Sequence, residues 1–278
     1  MLRLIHIELI KVFAKQRSYI ALLAIFVIIA LTFTAVIFEG QNMLDFFIQN
    51  LKEAFYMQGN LVNAYMISYI ILNFLWIHIP LLIVLVTGDL LAGEAHSGTF
   101  RILLTRPVSR TKIVSAKYIA GFVYTLIIIL FMFLLSLGGG LLLLGEGDLI
   151  VIMGAINIIP VDDILWRFAA AYAYGFLGMA TVASLSILLS AMSNNSLGPI
   201  LMTMAIIIIF TLVTTLNIGI FEVLKPFMLT SYLESWQSFF SFRVDLSGVL
   251  IDAGVLLIHI LVFYLLTLWV FNKKDILT

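Results

Sequence analysis

Residues 18–38 read SYIALLAIFVIIALTFTAVIF, a run without a single charged side chain. A helix needs about 20 consecutive, mostly apolar residues to cross the hydrocarbon core of a bilayer. The run is too long for the apolar part of a signal peptide, and no small-residue cleavage site follows Phe38. We therefore interpret it as a retained membrane-spanning helix.

Five further apolar runs are long enough to cross a membrane, at about residues 64–87, 118–144, 168–192, 197–216 and 249–271. Hydrophobic residues make up 63% of the chain and charged residues 11%, whereas soluble domains are about 25% charged. The runs are continuous rather than alternating, which disfavours spanning β-strands. The predicted fold class is an all-α membrane protein whose six transmembrane helices form a single domain, residues 1–278.

Basic residues concentrate on one side of this topology. If the N-terminus is cytoplasmic, eleven of the fifteen Lys and Arg residues fall in cytoplasmic segments, as the positive-inside rule requires. Most acidic residues fall on the other side. We therefore expect both termini in the cytoplasm. The net charge of +0 gives no reason to expect nucleic acid as a partner.

Three segments between or before the spans have a distinct character. Residues 1–17 place apolar side chains at helical spacing among basic ones, which predicts an amphipathic interfacial helix on membrane lipid. Residues 44–55 repeat this pattern on the outer side. Residues 221–242 are rich in aromatic side chains, typical of the membrane interface. The sequence leaves open whether this last segment is interfacial or re-entrant.

The loop after the second span contains several residues that typically begin or end helices. Residues 88–110 read GDLLAGEAHSGTFRILLTRPVSR. The helix is expected to continue to Ala95, and Gly98 is placed to end it in the left-handed conformation. Pro107 stops the next run, and Ser109 is placed to cap the helix of the third span. The prediction is a helix-turn-helix elbow at the inner surface.

This loop resembles the first cytoplasmic loop of the type-2 permeases of ATP-binding-cassette exporters. The resemblance rests on Glu94-x-x-x-Gly98-Thr99, then Leu103-Leu104-x-x-Pro107-x-x-Arg110, then Lys117. It extends to the overall layout, including an N-terminal amphipathic helix with Glu8 and Lys11. By this resemblance the elbow is a coupling helix, and its coupling residues are Glu94, Gly98, Thr99, Arg101, Arg106, Pro107 and Arg110. Each charged side chain would contact the partner or anchor the elbow, or would only hold the loop in water in accord with the positive-inside rule.

The resemblance implies a division of labour between subunits. Two separate ATPase subunits would bind ATP and Mg, and a second permease copy or a paralogue would complete the complex. The chain contains no G-x-x-x-x-G-K-[ST], so it is expected to be no enzyme and to hold no cofactor of its own. The implied function is export across the inner (plasma) membrane of a bacterium or archaeon, with a path near spans two and five.

Polar residues within the spans are the other candidates for function. Asn73, His78, Asp252 and His259 are possible members of a translocation path, because such groups are costly in hydrocarbon. The competing interpretation is structural: Asp252 lies in the first turn of its helix, and the histidines bond to neighbouring helices. No pair of histidines has metal-ligand spacing on one helix, so we expect no metal site.

Small residues carry two further predictions. Ala171, Gly175 and Gly178 share one face of the fourth span and predict close helix packing. Gly138-Gly139-Gly140 predicts a bend or a frayed end near the outer end of the third span.

Two other classes of protein remain as alternatives. An intramembrane enzyme needs a nucleophile, a base or a metal constellation, and the chain has no HExxH, no GxSxG, no facing aspartate pair and no cysteine. An ion-driven secondary transporter commonly shows inverted repeats. No such repeat is evident, although Pro80 and the Asp252–His259 pair fit that class.

Overall fold

The computed structural model describes residues 1–52, 62–99, 108–153, 155–216 and 219–274. Six helical stretches within this part are long and apolar enough to cross a membrane: Gln16–Gly40, Ala64–His96, Arg110–Leu144, Val161–Met192, Leu197–Thr215 and Leu246–Lys273. The prediction of an all-α membrane protein with six spans is confirmed. Several helices extend past the predicted apolar runs, because a helix continues into the polar region wherever its charged side chains find partners.

The elements follow one another along the chain. They are α1 (Leu2–Phe13), α2 (Gln16–Lys52), α3 (Ala64–Thr87), α4 (Asp89–His96), α5 (Arg110–Phe133), a π-helical turn (Leu134–Gly138), α6 (Gly139–Leu144), β1 (Leu149–Met153), β2 (Ala155–Ile159), α7 (Val161–Met192), α8 (Leu197–Thr215), α9 (Gly219–Glu222), a 3₁₀ turn (Lys225–Phe227), α10 (Thr230–Leu233), a second 3₁₀ segment (Glu234–Phe240) and α11 (Leu246–Lys273). The amphipathic helix predicted at residues 44–55 falls partly outside the described residues.

The bundle has two ends with different contents. The elbow end holds α1, α4, the first turns of α5 and the last turn of α11. Side chains of α1, α4 and α5 bond to one another there, and the Arg110 side chain of α5 donates to a backbone carbonyl of α11. The hairpin end holds β1 and β2, which connect α6 to α7. Both ends of the described chain therefore lie at the elbow end. Its assignment to the cytoplasm stays a prediction.

Helix α7 is the centre of the bundle. It is buried along most of its length, whereas α8 and α11 turn most of their surface outward. Its small residues permit this position. A Cβ atom on Gly175 would lie 3.1 Å from the Trp76 ring, and one on Gly178 would lie 3.0 Å from Leu233. The predicted close packing at this face is confirmed, and it occurs within the chain.

The glycine run at residues 138–140, near the outer end of the third span, does not form a frayed helix end. The helix passes through the π-helical turn and continues to Leu144, and Gly145 ends it with φ +73°. A π-turn displaces backbone carbonyls from their usual partners, and here the Ser136 carbonyl accepts a hydrogen bond from Ser68 Oγ at 2.9 Å. Gly140 lets the helix approach the Ala64 backbone, where a Cβ would lie 3.3 Å away. Of the bend and the frayed end that the sequence predicts here, the frayed end is wrong, because hydrogen bonds and packing from neighbouring helices hold this segment, and the bend stays a prediction.

The aromatic segment enters the bundle. Trp236 is fully buried, with its ring 5.3 Å from that of Trp76 and 6.4 Å from that of Tyr69. Trp76 lies twelve residues after the start of α3, about 18 Å along the helix axis. Arg167 of α7 fixes the end of the segment by donating to the Phe239 and Ser241 carbonyls at 2.8 and 2.7 Å. Of the two interpretations that the sequence left open, the structure supports the re-entrant one.

Candidate functional site

Four charged side chains from three elements meet at the elbow end, and we call Glu8, Lys11, Glu94 and Lys117 the ion-pair cluster. Lys117 Nζ lies 2.8 Å from Glu8 Oε2 and 2.9 Å from Glu94 Oε1. Lys11 Nζ lies 2.7 Å from Glu8 Oε1 and 2.7 Å from Glu94 Oε1. The cluster joins α1, α4 and α5 through two positive and two negative groups.

The inner side chains of the cluster are buried. The Lys117 side chain is 1% exposed and that of Glu8 is 3% exposed, whereas Lys11 closes the outer side at 42%. Lys117 Nζ also donates to the Leu90 carbonyl at 2.7 Å. A buried charge is tolerated only when it is paired and hydrogen-bonded, and Lys117 meets this condition with three acceptors.

The surroundings keep the α1 members of the cluster charged. Burial raises the pKa of Glu8, but Lys117 and Lys11 outweigh it and hold that pKa below its ordinary value. Burial likewise lowers the pKa of Lys11, but hydrogen bonds to Glu8 and Glu94 outweigh it and raise that pKa above its ordinary value. The two side chains therefore remain an ion pair at neutral pH.

A second set of charges holds the start of the elbow. Asp89, the first residue of α4, accepts from Lys15 Nζ at 2.6 Å and lies 3.6 Å from Arg17 Nη1. An acidic side chain in the first turn also interacts favourably with the helix dipole. The connection between α1 and α2 is therefore tied to α4 at a second place.

A serine of the central helix caps the elbow. The residue before α4 is Gly88, which has no side chain to offer, and Ser190 Oγ of α7 instead accepts from the Leu91 and Ala92 amides at 3.0 and 2.8 Å. Gly88 also permits the close approach, since a Cβ there would lie 3.1 Å from Ser186 Oγ. This contact joins α4 to α7, the most buried span.

We expect Ser190→Ala to loosen the elbow without unfolding the bundle. Loss of a capping oxygen costs about 1 kcal/mol, so amide hydrogen exchange of residues 90–96 should accelerate by several-fold. Ser193→Ala is the matched control, because Ser193 Oγ serves only the turn around Asn195. Equal exchange rates of residues 90–96 in the two variants would contradict the capping role.

Local signals of the elbow occur where the sequence predicts them. Gly98 follows α4 with φ +68°, and Ser109 Oγ accepts from the Lys112 amide at 3.4 Å at the start of α5. Gly98 and Thr99 are exposed at the tip of the elbow. Arg101, Arg106 and Pro107 lie outside the described residues, and their coupling role stays a prediction.

Two of the predicted coupling residues anchor the elbow. Glu94 belongs to the ion-pair cluster, where it contacts Lys11 and Lys117. Arg110 donates to the carbonyls of Phe271, Asn272 and Lys274 at 2.7, 2.9 and 3.0 Å. These hydrogen bonds satisfy carbonyl groups at the C-terminal end of α11. Both side chains therefore bond within the bundle, and their contact with a partner stays a prediction.

The sequence does not predict the three partners that organise this site. Lys117 enters only as part of the loop motif, and Asp89 and Ser190 carry no predicted role. The available signal for Lys117 was its position seven residues into the helix that begins at Arg110, where an unpaired cation is costly. Ser190 gave no local signal.

The polar residues predicted for a translocation path do not converge. Asn73 and His78 bond to the carbonyls of Tyr69 and Phe74 on their own helix. Asp252 accepts from Ser235 Oγ at 2.6 Å, and His259 is within hydrogen-bond distance of the Val255 carbonyl at 2.9 Å and the Phe227 carbonyl at 3.4 Å. The α11 residues therefore hold the re-entrant segment, and a role in transport stays a prediction. Within the described ranges, no group of three or more His, Asp or Glu side chains could hold a metal ion.

A cavity of about 520 Å³ lies between the second and fifth spans. Trp76 and Pro80 of α3, Ile207 and Thr211 of α8, and Leu233 of the re-entrant segment contribute to its lining. Its walls are mainly apolar, as is usual for small-molecule sites.

Six spans identify the chain as a multi-pass membrane protein. A family model described as ABC-2 family transporter protein matches residues 3–276, and the chain belongs to this family. Members are permease components of ATP-binding-cassette transporters and are not themselves the ATPase.

One curated relative is the uncharacterized protein YhcI of Bacillus subtilis (strain 168). It is 25% identical to this chain over 204 residues, which is 69% of this chain and 63% of that protein. The chain thus spans less than two thirds of the relative's length.

Proposed function

We propose that the chain is the permease subunit of an exporter driven by separate ATPase subunits, and that its elbow transmits their movement to the membrane helices. The ion-pair cluster carries this proposal. It fastens α1, α4 and α5 to one another, so a force applied to α4 displaces spans two and three together with the N-terminal helix. A loop without such contacts would absorb the movement.

The elbow has an exposed tip and two sides that are bonded to the bundle. The exposed tip at Ser97, Gly98 and Thr99 is free for contact, while Glu94 and Arg110 hold the two sides of the elbow to the bundle. In this arrangement two ATPase subunits bind ATP and Mg on the cytoplasmic side. A second copy or a paralogue pairs with the chain, and cargo passes near the cavity between spans two and five.

Membership of a transporter family with an ATP-driven partner favours this function over the alternatives. An ion-driven transporter would need its titratable groups at a common site, whereas Asp252 and His259 bond to the re-entrant segment. An intramembrane enzyme would need a reactive constellation, and the four polar candidates do not converge.

Site-directed cross-linking tests the proposal. The chain has no cysteine, so Thr99→Cys introduces a single thiol at the elbow tip, and Glu146→Cys places the matched control at the exposed opposite end. Each variant is co-expressed with candidate ATP-binding-cassette ATPases from the same genome. A thiol-to-amine cross-linker should join only the Thr99→Cys variant to the ATPase.

The complex should also hydrolyse ATP in a vanadate-sensitive manner. Absence of a stable complex with the ATPase, or equal cross-linking from both positions, would overturn the proposed coupling site.

A further inference from the structure

The hairpin of β1 and β2 packs one face onto the bundle and exposes the other, and the exposed face is apolar. Its register pairs Ile150 with Ile158 and Ile152 with Ile156, so these four side chains share one face. We call them the isoleucine face. The opposite face packs onto the bundle, where Leu149, Val151 and Ile159 are at most 2% exposed.

The isoleucine face is unusual for a surface in water. A hairpin with one face on a core ordinarily presents polar side chains on the other. Here Ile152 is 62%, Ile156 36% and Ile158 59% exposed, and no polar side chain interrupts them. An exposed, contiguous apolar surface of this kind indicates contact with a protein or a membrane.

The hairpin is rooted at the ends of three spans. The Ala64 amide donates to the Gly145 carbonyl at 3.0 Å, and Asn63 Nδ2 donates to the Asp148 carbonyl at 2.8 Å. Asp148 Oδ1 in turn accepts from the Val161 amide at 3.1 Å, at the start of α7. Each strand has five residues and reaches about 17 Å at most, so the isoleucine face cannot move far from these helix ends.

Exposed apolar side chains also occur on the spans beside this root, alongside the exposed acidic residues Glu146, Asp148 and Asp162. Leu143 near the end of α6 is 56% exposed, and Leu165 and Trp166 in the first turns of α7 are 51% and 44% exposed. Tryptophan is enriched at the boundary between hydrocarbon and water. The isoleucine face therefore adjoins exposed apolar side chains of helices that are long and apolar enough to cross a membrane.

We propose that the isoleucine face lies in the lipid leaflet at the hairpin end of the bundle, and that it binds the upper acyl-chain region of the membrane. The connection between spans three and four is then a membrane-inserted element and not a water-exposed loop. In the orientation expected from the basic residues this leaflet is the outer one. The proposal depends on neither the cargo nor the ATPase.

Fluorescence quenching in liposomes tests this placement directly. Because the chain has no cysteine, Ile152→Cys and Ile156→Cys each accept one bimane label, and Glu146→Cys is the control in the same connection. The labelled full-length chain is reconstituted in phosphatidylcholine–phosphatidylglycerol vesicles, with and without lipid brominated on its acyl chains. Iodide serves as the aqueous quencher.

The proposal expects blue-shifted emission and loss of fluorescence with brominated lipid at Ile152 and Ile156, and quenching by iodide at Glu146. Iodide quenching of all three labels to the same extent would place the face in water and overturn the proposal. Cross-linking between two Ile152→Cys chains without lipid quenching would identify a second copy as the occupant, and would overturn it equally. Ile158→Cys provides another site on the same face if one variant gives little folded protein. Because no ATP is used, this result is independent of the test of coupling.

Discussion

Lys117→Met is expected to lower the free energy of unfolding by about 3–5 kcal/mol, the usual cost of removing one partner from a buried ion pair. The side chain is 1% exposed and serves Glu8, Glu94 and the Leu90 carbonyl at once. Its removal leaves two carboxylates with only Lys11 between them. Thermal unfolding of the purified chain in detergent, followed by circular dichroism, measures the loss.

The matched control is Lys112→Met, which removes a lysine from an exposed position at the same end of the same helix. This change should leave the unfolding temperature nearly unaltered. A triple variant with Lys117→Met, Glu8→Gln and Glu94→Gln should recover part of the loss, because no uncompensated buried carboxylate remains. Equal unfolding temperatures of the Lys117→Met and Lys112→Met variants would sink the idea that the cluster fastens the elbow.

Trp236→Ala is expected to cost a similar amount, about 3–5 kcal/mol for a buried aromatic side chain in a packed site. Trp236 is fully buried against Trp76 and Phe240. Its loss leaves a void in the middle of the bundle and removes support from the wall of the cavity between spans two and five. Thermal unfolding in detergent measures the change in stability.

Phe227→Ala is the control for this variant, because Phe227 belongs to the same segment and is 76% exposed. It should cost little by comparison. A Trp236→Ala variant as stable as the Phe227→Ala variant would show that the segment does not depend on its packing within the bundle.

The two variants separate two properties of the protein. Lys117 acts at the elbow end, so its loss should affect stability and coupling to the ATPase together. Trp236 acts inside the membrane, so its loss should affect stability and the shape of the cavity while the elbow tip remains intact. The distinction follows from their positions on different parts of the bundle.

The number of spans and the local shape of the elbow can be predicted from the sequence alone. The number of spans follows from the runs of apolar residues. Each spanning helix must be apolar across the hydrocarbon core and must satisfy its backbone hydrogen bonds internally. The end of α4 at Gly98 and the start of α5 at Ser109 follow from backbone conformation and capping, which involve only neighbours in the chain.

Which side chains meet depends on the tertiary structure. Glu8 and Lys117 are 109 residues apart, and Ser190 lies 99 residues from the Leu91 amide it accepts from. Hydropathy and periodicity contain no information about such pairs, because the pairing depends on which faces of the helices pack together. For the same reason the charges of the elbow can be read from the sequence, whereas the bonds of Glu94 and Arg110 within the bundle cannot. The re-entrant path of the aromatic segment likewise depends on space made by Gly175 and Gly178 on another helix.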